Sequence, residues 1–309
     1  MKSLRAIVKI VGLPFLLQPF RGPVSWACQR GLLSSRARKF LPWRWVLEPY
    51  TIYGAGWKCS WFPTDFDSIG HEIFWSGLRA CGKETTPVIL ENIRRSRCFI
   101  DVGANCGVYT VLGCTVNPNV RVVAIEPVPK VCAALARNVN GNNFDSRVTI
   151  LNIALGDSNG TVLFHEAEDS TMGSLAVEGY RGQRGRVIQV KCRTLDSVVE
   201  ELNLEPDFVK IDVEGFSHLV LSGGSRVLRK FRPRIVLEAN PGDPGTAMTQ
   251  ILLEHGYELH NITDRGLEMR SEIIPVEAYR NWLCVAPSRI DVADSASQQV
   301  PSSGESAKV

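Results

Sequence analysis

The sequence predicts an α/β fold, with a mostly parallel sheet covered by helices on both faces. Three observations carry that expectation. Residues 97–110, RCFIDVGANCGVYT, read as a buried strand that runs into a glycine-rich turn, residues 103–107, and then into a helix through Val108, Tyr109, Val111 and Leu112. From residue 97 onward, apolar runs of strand length alternate with amphipathic stretches, the pattern of parallel strands joined by crossover helices. Asp101, Glu126, Asp157, Asp212 and Glu238 fall at the ends of the first five such strands. Ligands of open α/β sheets bind outside the carboxyl ends of the strands, so five acids on one edge point to a site there.

Ahead of this pattern lies a basic stretch. Residues 1–42 carry Lys2, Arg5, Lys9, Arg21, Arg30, Arg36, Arg38 and Lys39 and no acid. Their apolar run, residues 6–20, is broken by Lys9 and Pro14, which makes it too short and interrupted for a bilayer span and disfavours a secretory signal, the last of the alternatives for this segment. A basic amphipathic helix packed on the domain is expected, with reversible attachment to an anionic membrane surface as the alternative. The expected location is cytoplasmic, peripheral at the membrane under that alternative. Residues 43–75 hold Trp43, Trp45, Trp57, Trp61 and Trp75 among Tyr50, Tyr53, Phe62, Phe66 and Phe74. Two readings stand: a lid whose aromatic faces hold a sugar or another flat group, and a packed cap over the sheet edge. His71 and Glu72 are expected just before an amphipathic helix through Ile73, Phe74 and Leu78.

After the glycine turn, residues 121–126 form the second strand, and Pro127 and Pro129 sit in the first turn of the next helix, where a missing N–H costs nothing. Val131, Leu135 and Val139 then share a face. The third strand spans residues 147–154 and ends in a Gly156-Asp157 turn. Two further β runs follow, residues 160–164 and 186–193, separated by a loop rich in Gly, Ser and Arg. A loop of that length in a compact domain is usually functional, and Arg181, Arg184 and Arg186 are its candidates for an acidic substrate group. Thr194 is placed to cap a helix. The fourth strand, residues 207–212, ends at Asp212-Val213-Glu214-Gly215, and the fifth spans 234–238. A helix over 247–255 and strands near 257–261 and 282–286 complete the domain. Residues 287–309, rich in Ser, Ala and Gln, are expected to be a disordered tail. The division is therefore 1–94 for a basic, aromatic-rich cap region, 95–286 for the ligand-binding domain and 287–309 for the tail.

Bulk properties exclude more than they assign. The net charge of +3 is too small to argue for a nucleic-acid partner. The nine cysteines are scattered singly with no CxxC pair, so neither a zinc site nor a disulfide framework is implied. Glycines in the turn let the backbone approach a ligand, and free N–H groups at the helix start are expected to face it. Glu126, ending the second strand, is placed to accept hydrogen bonds from both hydroxyls of a ribose.

Taken together, these segments resemble the class I S-adenosylmethionine (SAM)-dependent methyltransferases, and within them the FkbM family. The resemblance rests on FIDVGANCGVYT at 99–110, Ile125-Glu126-Pro127, NIALGDSNG at 152–160, RTLDS at 193–197 and FVKIDVEGFSHLVLSGG at 208–224. It covers roughly residues 95–265 of the sequence. It implies a Rossmann-like class I methyltransferase fold with a seven-stranded sheet, and SAM as cofactor. In this resemblance the Asn105 side chain and the backbone of Gly103, Ala104 and Gly107 hold the amino-acid part of SAM, and Glu126 holds the ribose. Asp101 fixes the turn or meets the SAM ammonium group. Asp157 is the candidate partner of the adenine amine, with turn capping as the alternative.

An alcohol acceptor needs a base, since its proton leaves as it is methylated. Asp212 and Glu214 are at the right sheet end. His218 lies one helical turn after Glu214 and is the third candidate, or simply pairs with Glu214 on a helix surface. His71 is a candidate arriving from the cap. The carboxylates could offer oxygen ligands to Mg²⁺, but nothing in their spacing demands it, and no metal ligand is assigned. The expected activity is O-methylation of a hydroxyl on a sugar, a polysaccharide or a secondary metabolite, with a small-molecule or glycan acceptor and no nucleic acid. An NAD(P)-dependent oxidoreductase is the alternative, against which GANCG puts Asn105 where GxGxxG needs a glycine, and no Tyr-x-x-x-Lys pair follows. A non-catalytic SAM-binding protein is a second alternative. Exocyclic-amine nucleic-acid methyltransferases carry an Asn/Asp-Pro-Pro-aromatic motif where this chain has Asp212-Val-Glu-Gly.

Overall fold

The computed structural model describes residues 18–33, 43–167, 174–175 and 185–287. The first basic residues, Arg181 and Arg184 of the long loop, and the expected tail from 288 lie outside the described residues. In chain order, α1 (Arg21–Gln29) leads to a hairpin of β1 (Tyr50–Tyr53) and β2 (Lys58–Trp61), then to α2 (Ser68–Ser76) and α3 (Thr85–Arg95). The sheet begins with β3 (Cys98–Val102), α4 (Val108–Val116), β4 (Arg121–Ile125), α5 (Pro129–Gly141) and β5 (Val148–Leu151). Four short-range strands follow: β6 (Ala154–Leu155), β7 (Gly160–Ala167), β8 (Ser174–Leu175) and β9 (Gly185–Arg193). The chain then returns through α6 (Leu195–Glu201), β10 (Phe208–Ile211), α7 (Ser217–Ser222), α8 (Ser225–Lys230) and β11 (Arg234–Glu238). It closes with α9 (Gly245–Glu254), β12 (Glu258–Thr263), β13 (Gly266–Arg270) and β14 (Asn281–Val285).

The main sheet has eight strands in the order β13-β12-β14-β11-β10-β3-β4-β5. Five of them, β5 through β11 across that order, run parallel, and β14, β12 and β13 pair antiparallel at the other edge. The strands expected from the sequence are joined by β13, the hairpin partner of β12. Strands covered on both faces are apolar almost throughout, and here alternate residues go to opposite layers. Ile100, Val102, Val209 and Ile211 pack with Val198, Val220, Leu228 and Leu252 of α6 to α9. Phe99, Val122, Phe208 and Val236 pack with Ile89, Ile93 and Leu135 of α3 and α5. The second layer also receives Asp101 and Lys210, which the β3–β10 register sets directly opposite each other.

Two expectations are corrected. The third strand does not run unbroken over 147–154. The Asn152 side chain donates to the carbonyls of Glu126 (2.8 Å) and Pro127 (3.0 Å), and beyond it β6 leaves the main sheet for a second one, ordered β6-β9-β7-β8. His71 and Glu72 lie inside α2 rather than ahead of it, because Asp67 caps the helix through Gly70 N at 2.8 Å. A separate helix, α3, then carries the chain to β3.

The aromatic region is packed into the core. Trp45, Trp61, Tyr50 and Phe74 are buried against Val108, Val111 and Leu112 of α4 and Val131 and Ala134 of α5. Trp61 Nε1 donates to Asp67 Oδ2 at 2.8 Å, so this buried indole has its polar atom satisfied, whereas the Nε1 of Trp45 has no partner. Their faces are turned inward, as the packed-cap reading has it. Asn138 of α5 and Asn142, which follows its last residue, hold the hairpin end in place. Asn138 accepts from Phe62 N (2.7 Å) and donates to Cys106 O (2.9 Å), while Asn142 exchanges bonds with both backbone groups of Ser60 (2.8 and 2.7 Å). Among the described residues no helix is long and apolar enough to cross a membrane.

Asn138 is fully buried, so Asn138→Ala strands two backbone groups at once. The expected cost is about 2–4 kcal/mol, or a fall in Tm of roughly 5–10 °C, read by scanning calorimetry. An unchanged Tm would show that the cap is not held there.

Candidate functional site

A cavity of about 600 Å³ opens at the carboxyl ends of β3, β4, β10 and β11, with Ile69 and Cys81 of the cap region among its walls. Its floor is the glycine turn. Gly103 has φ of +72°, and a Cβ there would stand 2.0 Å from the Asp212 carbonyl oxygen, so the position admits glycine alone. Asn105 is also left-handed, at φ 52°, and its Oδ1 accepts from Cys106 N at 2.7 Å. The turn's amides are spent inside the protein. Gly103 and Ala104 both donate to Ile125 O, Asn105 to Glu126 Oε2, Cys106 to Asn105 Oδ1 and Gly107 to Ala104 O. The expected display of free N–H groups does not extend to these five. What the turn offers a ligand is acceptors.

Glu126 is 6% exposed, with Oε2 held by Asn105 N (3.0 Å) and Oε1 by Val128 N (2.9 Å). Burial pushes its carboxyl up to about 7, and the two amides offset part of that rise. Each oxygen keeps a lone pair for a ligand hydroxyl. Asp101 is wholly buried. Its Oδ2 accepts from Thr110 Oγ1 at 2.7 Å, and its Oδ1 accepts no hydrogen bond, with Lys210 Nζ 3.5 Å away.

Lys210 is the residue that reading the sequence missed. Its Nζ lies 3.1 Å from Asp212 Oδ2 and 3.3 Å from the Gly103 carbonyl, above the Tyr109 ring. Burial alone would pull its ammonium down, but Asp212 and Asp101 outweigh that and hold it above the usual lysine range. The signal was present: a lysine inside the apolar run Phe208–Ile211, on a strand neighbouring one that carries Asp101 in the same position.

At the other end of the cavity stand Asp212, Glu214, Glu238 and Arg280. Burial pushes Asp212 up, yet Lys210 overrides it and keeps this carboxyl below the ordinary range. Glu238 goes the opposite way, raised first by burial and then by the charge of Asp212. Glu214 accepts from Asn240 Nδ2 at 3.2 Å. Arg280 Nη1 donates to Asn240 Oδ1 (3.0 Å) and lies 3.9 Å from Glu238 Oε1, and its Nη2 bonds Glu277 Oε1 (2.6 Å).

The structure thus gathers Gly103, Ala104, Asn105, Glu126, Asp212 and Glu214 on one cavity, with Asp101 beneath it and Gly107 shaping the turn at φ +93°. Asp157 is exposed, takes a hydrogen bond from Ser158 Oγ (3.1 Å) and is not among the lining residues. His218 is also off the lining. Its ring lies 6.4 Å from that of Phe216, centre to centre, and burial lowers its basicity. His71 binds Thr64 O at 2.7 Å within the cap. Arg186 pairs with Glu166 at 2.5 Å. Among the described residues no cluster of His, Cys, Asp and Glu is disposed to hold a metal ion.

Residues 101–259, just over half of the chain, match the family profile described as Methyltransferase FkbM domain. AMB antimetabolite synthetase AmbE of Pseudomonas aeruginosa is 28% identical over 211 residues, which cover 55% of this chain and 10% of that protein. Hexuronic acid methyltransferase AglP of Haloferax volcanii is 26% identical over 170 residues, 54% of this chain and 66% of that protein. This chain therefore spans only part of each relative's length. A crystal structure of Methyltransferase FkbM from Methylobacillus flagellatus aligns at 19% identity with a TM-score of 0.43, over 62% of this chain and 43% of that one. Because the family match takes in the glycine turn, Glu126, Lys210 and the Asp212 loop together, the chain belongs to the FkbM family of SAM-dependent methyltransferases.

Proposed function

We propose that this chain transfers a methyl group from SAM to an acceptor hydroxyl, and that the acceptor is a sugar, a polysaccharide or a secondary metabolite. One observation carries the choice of cofactor. The five turn amides are consumed internally, while acids line or underlie the cavity. A dinucleotide needs free N–H donors for its pyrophosphate. SAM instead brings positive charge at sulfur and at its ammonium group, which an acidic, acceptor-rich pocket suits. The oxidoreductase alternative meets the wrong chemistry here.

SAM when bound supplies an electrophilic methyl group on a neutral leaving thioether, so the protein's task is alignment and handling of one proton. In this reading the Asn105 side chain and the backbone of residues 103–107 hold the amino-acid end. Glu126 takes the ribose hydroxyls, and Asp101 steadies the turn through Thr110 and Lys210. Asp212 and Glu214 face the acceptor. Asp157 and His218, both off the cavity, have no part in it. Residues 1–94 serve as a cap whose turn near Cys81 walls the site, and 95–286 as the catalytic domain. The AglP name, hexuronic acid methyltransferase, supports a sugar as the acceptor.

Calorimetric titration with SAM, S-adenosylhomocysteine and NAD⁺ in parallel tests the cofactor: binding of NAD⁺ alone overturns the proposal. In the same assay Glu126→Ala should weaken SAM binding roughly 10–100-fold with an unchanged circular dichroism spectrum. Unaltered affinity would remove Glu126 from the ribose. The ligand-free protein should also show the acid's burial. Between the ordinary 4.5 and about 7, the folded chain keeps a proton on Glu126 that the unfolded chain has released, so stability falls as pH rises through that window. Glu126→Gln should flatten that part of the Tm profile, and an identical slope in both proteins would contradict the assignment.

A further inference from the structure

Glu238 is the cavity acid to which the methyl-transfer reading gives no task. It ends β11 and stands level with Asp212, since Ile211 and Leu237 are register partners on adjacent parallel strands. Both side chains line the cavity, and the charge of Asp212 raises the proton affinity of Glu238. Carboxyls standing level on adjacent strand ends in one cavity do not both ionise freely, so one of them keeps a proton. The cations decide where it rests. Lys210 Nζ is 3.1 Å from Asp212 Oδ2. Glu238 has Arg280 at 3.9 Å, a guanidinium already engaged by Glu277 and Asn240, and Lys210 acts on it less than on Asp212 and Asp101. Glu214, from the loop after β10, adds further negative charge around Glu238. Asp212 therefore keeps its charge, and the proton sits on Glu238.

We propose that Glu238 takes the proton of the acceptor hydroxyl, with Asp212 as the positioning residue beside it. This rests on the methyltransferase reading. As the oxygen–methyl bond forms, the carbon–sulfur bond breaks with its electron pair going to sulfur. Glu238 first releases its resting proton to water at the cavity mouth; the carboxylate so formed then takes the hydroxyl proton, which restores the resting carboxyl. A base works best when its affinity for protons matches the working pH. Asp212, clamped by Lys210, is too weak a base for that role, whereas Glu238 is crowded by Asp212 and Glu214 and loosely compensated. The groups that set it are Asp212 and Lys210 from β10 and its end, Glu214 from the following loop and Arg280 from the segment before β14.

The first test needs no cofactor. A protonated carboxyl has its own infrared C=O band, which can be followed against pH in the ligand-free protein. Wild type should retain such a band above the Glu126 titration at about 7. Glu238→Gln should lack it, and in Asp212→Asn it should vanish at lower pH, because the charge that raised it is gone. A band that survives in Glu238→Gln, or titrates unshifted in Asp212→Asn, overturns the assignment. Calorimetry separates this from the broader reading: Glu238→Gln should still bind SAM, and failure of wild type to bind SAM sinks the methyltransferase proposal itself. With labelled SAM and a free hexuronic acid as probe acceptor, Glu238→Gln should lose about 10²–10⁴-fold in transfer rate. Full turnover in that variant would also overturn the proposal.

Discussion

A lysine buried between two carboxylates joins the two halves of the cavity. Lys210 reaches Asp212 at 3.1 Å, the Gly103 carbonyl at 3.3 Å and Asp101 at 3.5 Å. Taking such charges out of water costs several kcal/mol each, a cost returned only where geometry and extra hydrogen bonds are good. Here Thr110 satisfies the far oxygen of Asp101, and the Tyr109 ring lies under the ammonium. The glycine turn and the Asp212 loop are thereby tied to one cation. A shift in either would leave an unpartnered charge in the core. The same clamp fixes Asp212 as an anion and so sets the electrical condition of everything beyond it.

Much of this was legible from local pattern. The strand, glycine turn and helix over 97–110 announced themselves, as did Glu126, because burial on both faces and the turn's conformational demands act within a few residues. The strand alternation followed for the same reason. What escaped depended on contacts across the fold. Asn152 breaks the third strand by bonding carbonyls 25 and 26 residues away in sequence, and no local rule marks it. That break also explains Asp157: its segment follows β6 into the second sheet and so leaves the edge where the other acids meet. Lys210 required knowing which strands are neighbours and in which register. The spent turn amides required knowing where Glu126 points.

The cap belongs to the site rather than beside it. Tyr109, on the helix that follows the glycine turn, donates to the Cys81 carbonyl at 2.8 Å and meets Thr86 Oγ1 at 3.1 Å. The turn at 80–85 is thus seated on the same helix that shapes the cavity floor. The buried aromatics behind it, Trp61 and Phe74 among them, act as the footing for that wall. Trp45, Tyr50, Trp61 and Phe74 pack inward and are not among the residues that line the cleft.

The placement of β14 has a consequence for how the protein comes to exist. This strand, the last of the described chain, is inserted between β11 and β12, and the segment entering it brings Arg280 to Glu238 and Asn240. During synthesis the parallel half of the sheet emerges first, with its acids exposed and one of their two buried-side cations still unmade. Pairings of such long sequence separation form late, and a nascent chain waiting for them carries open strand edges. The cavity's charge balance is therefore completed from outside the parallel half of the sheet, by the segment that inserts β14 between β11 and β12.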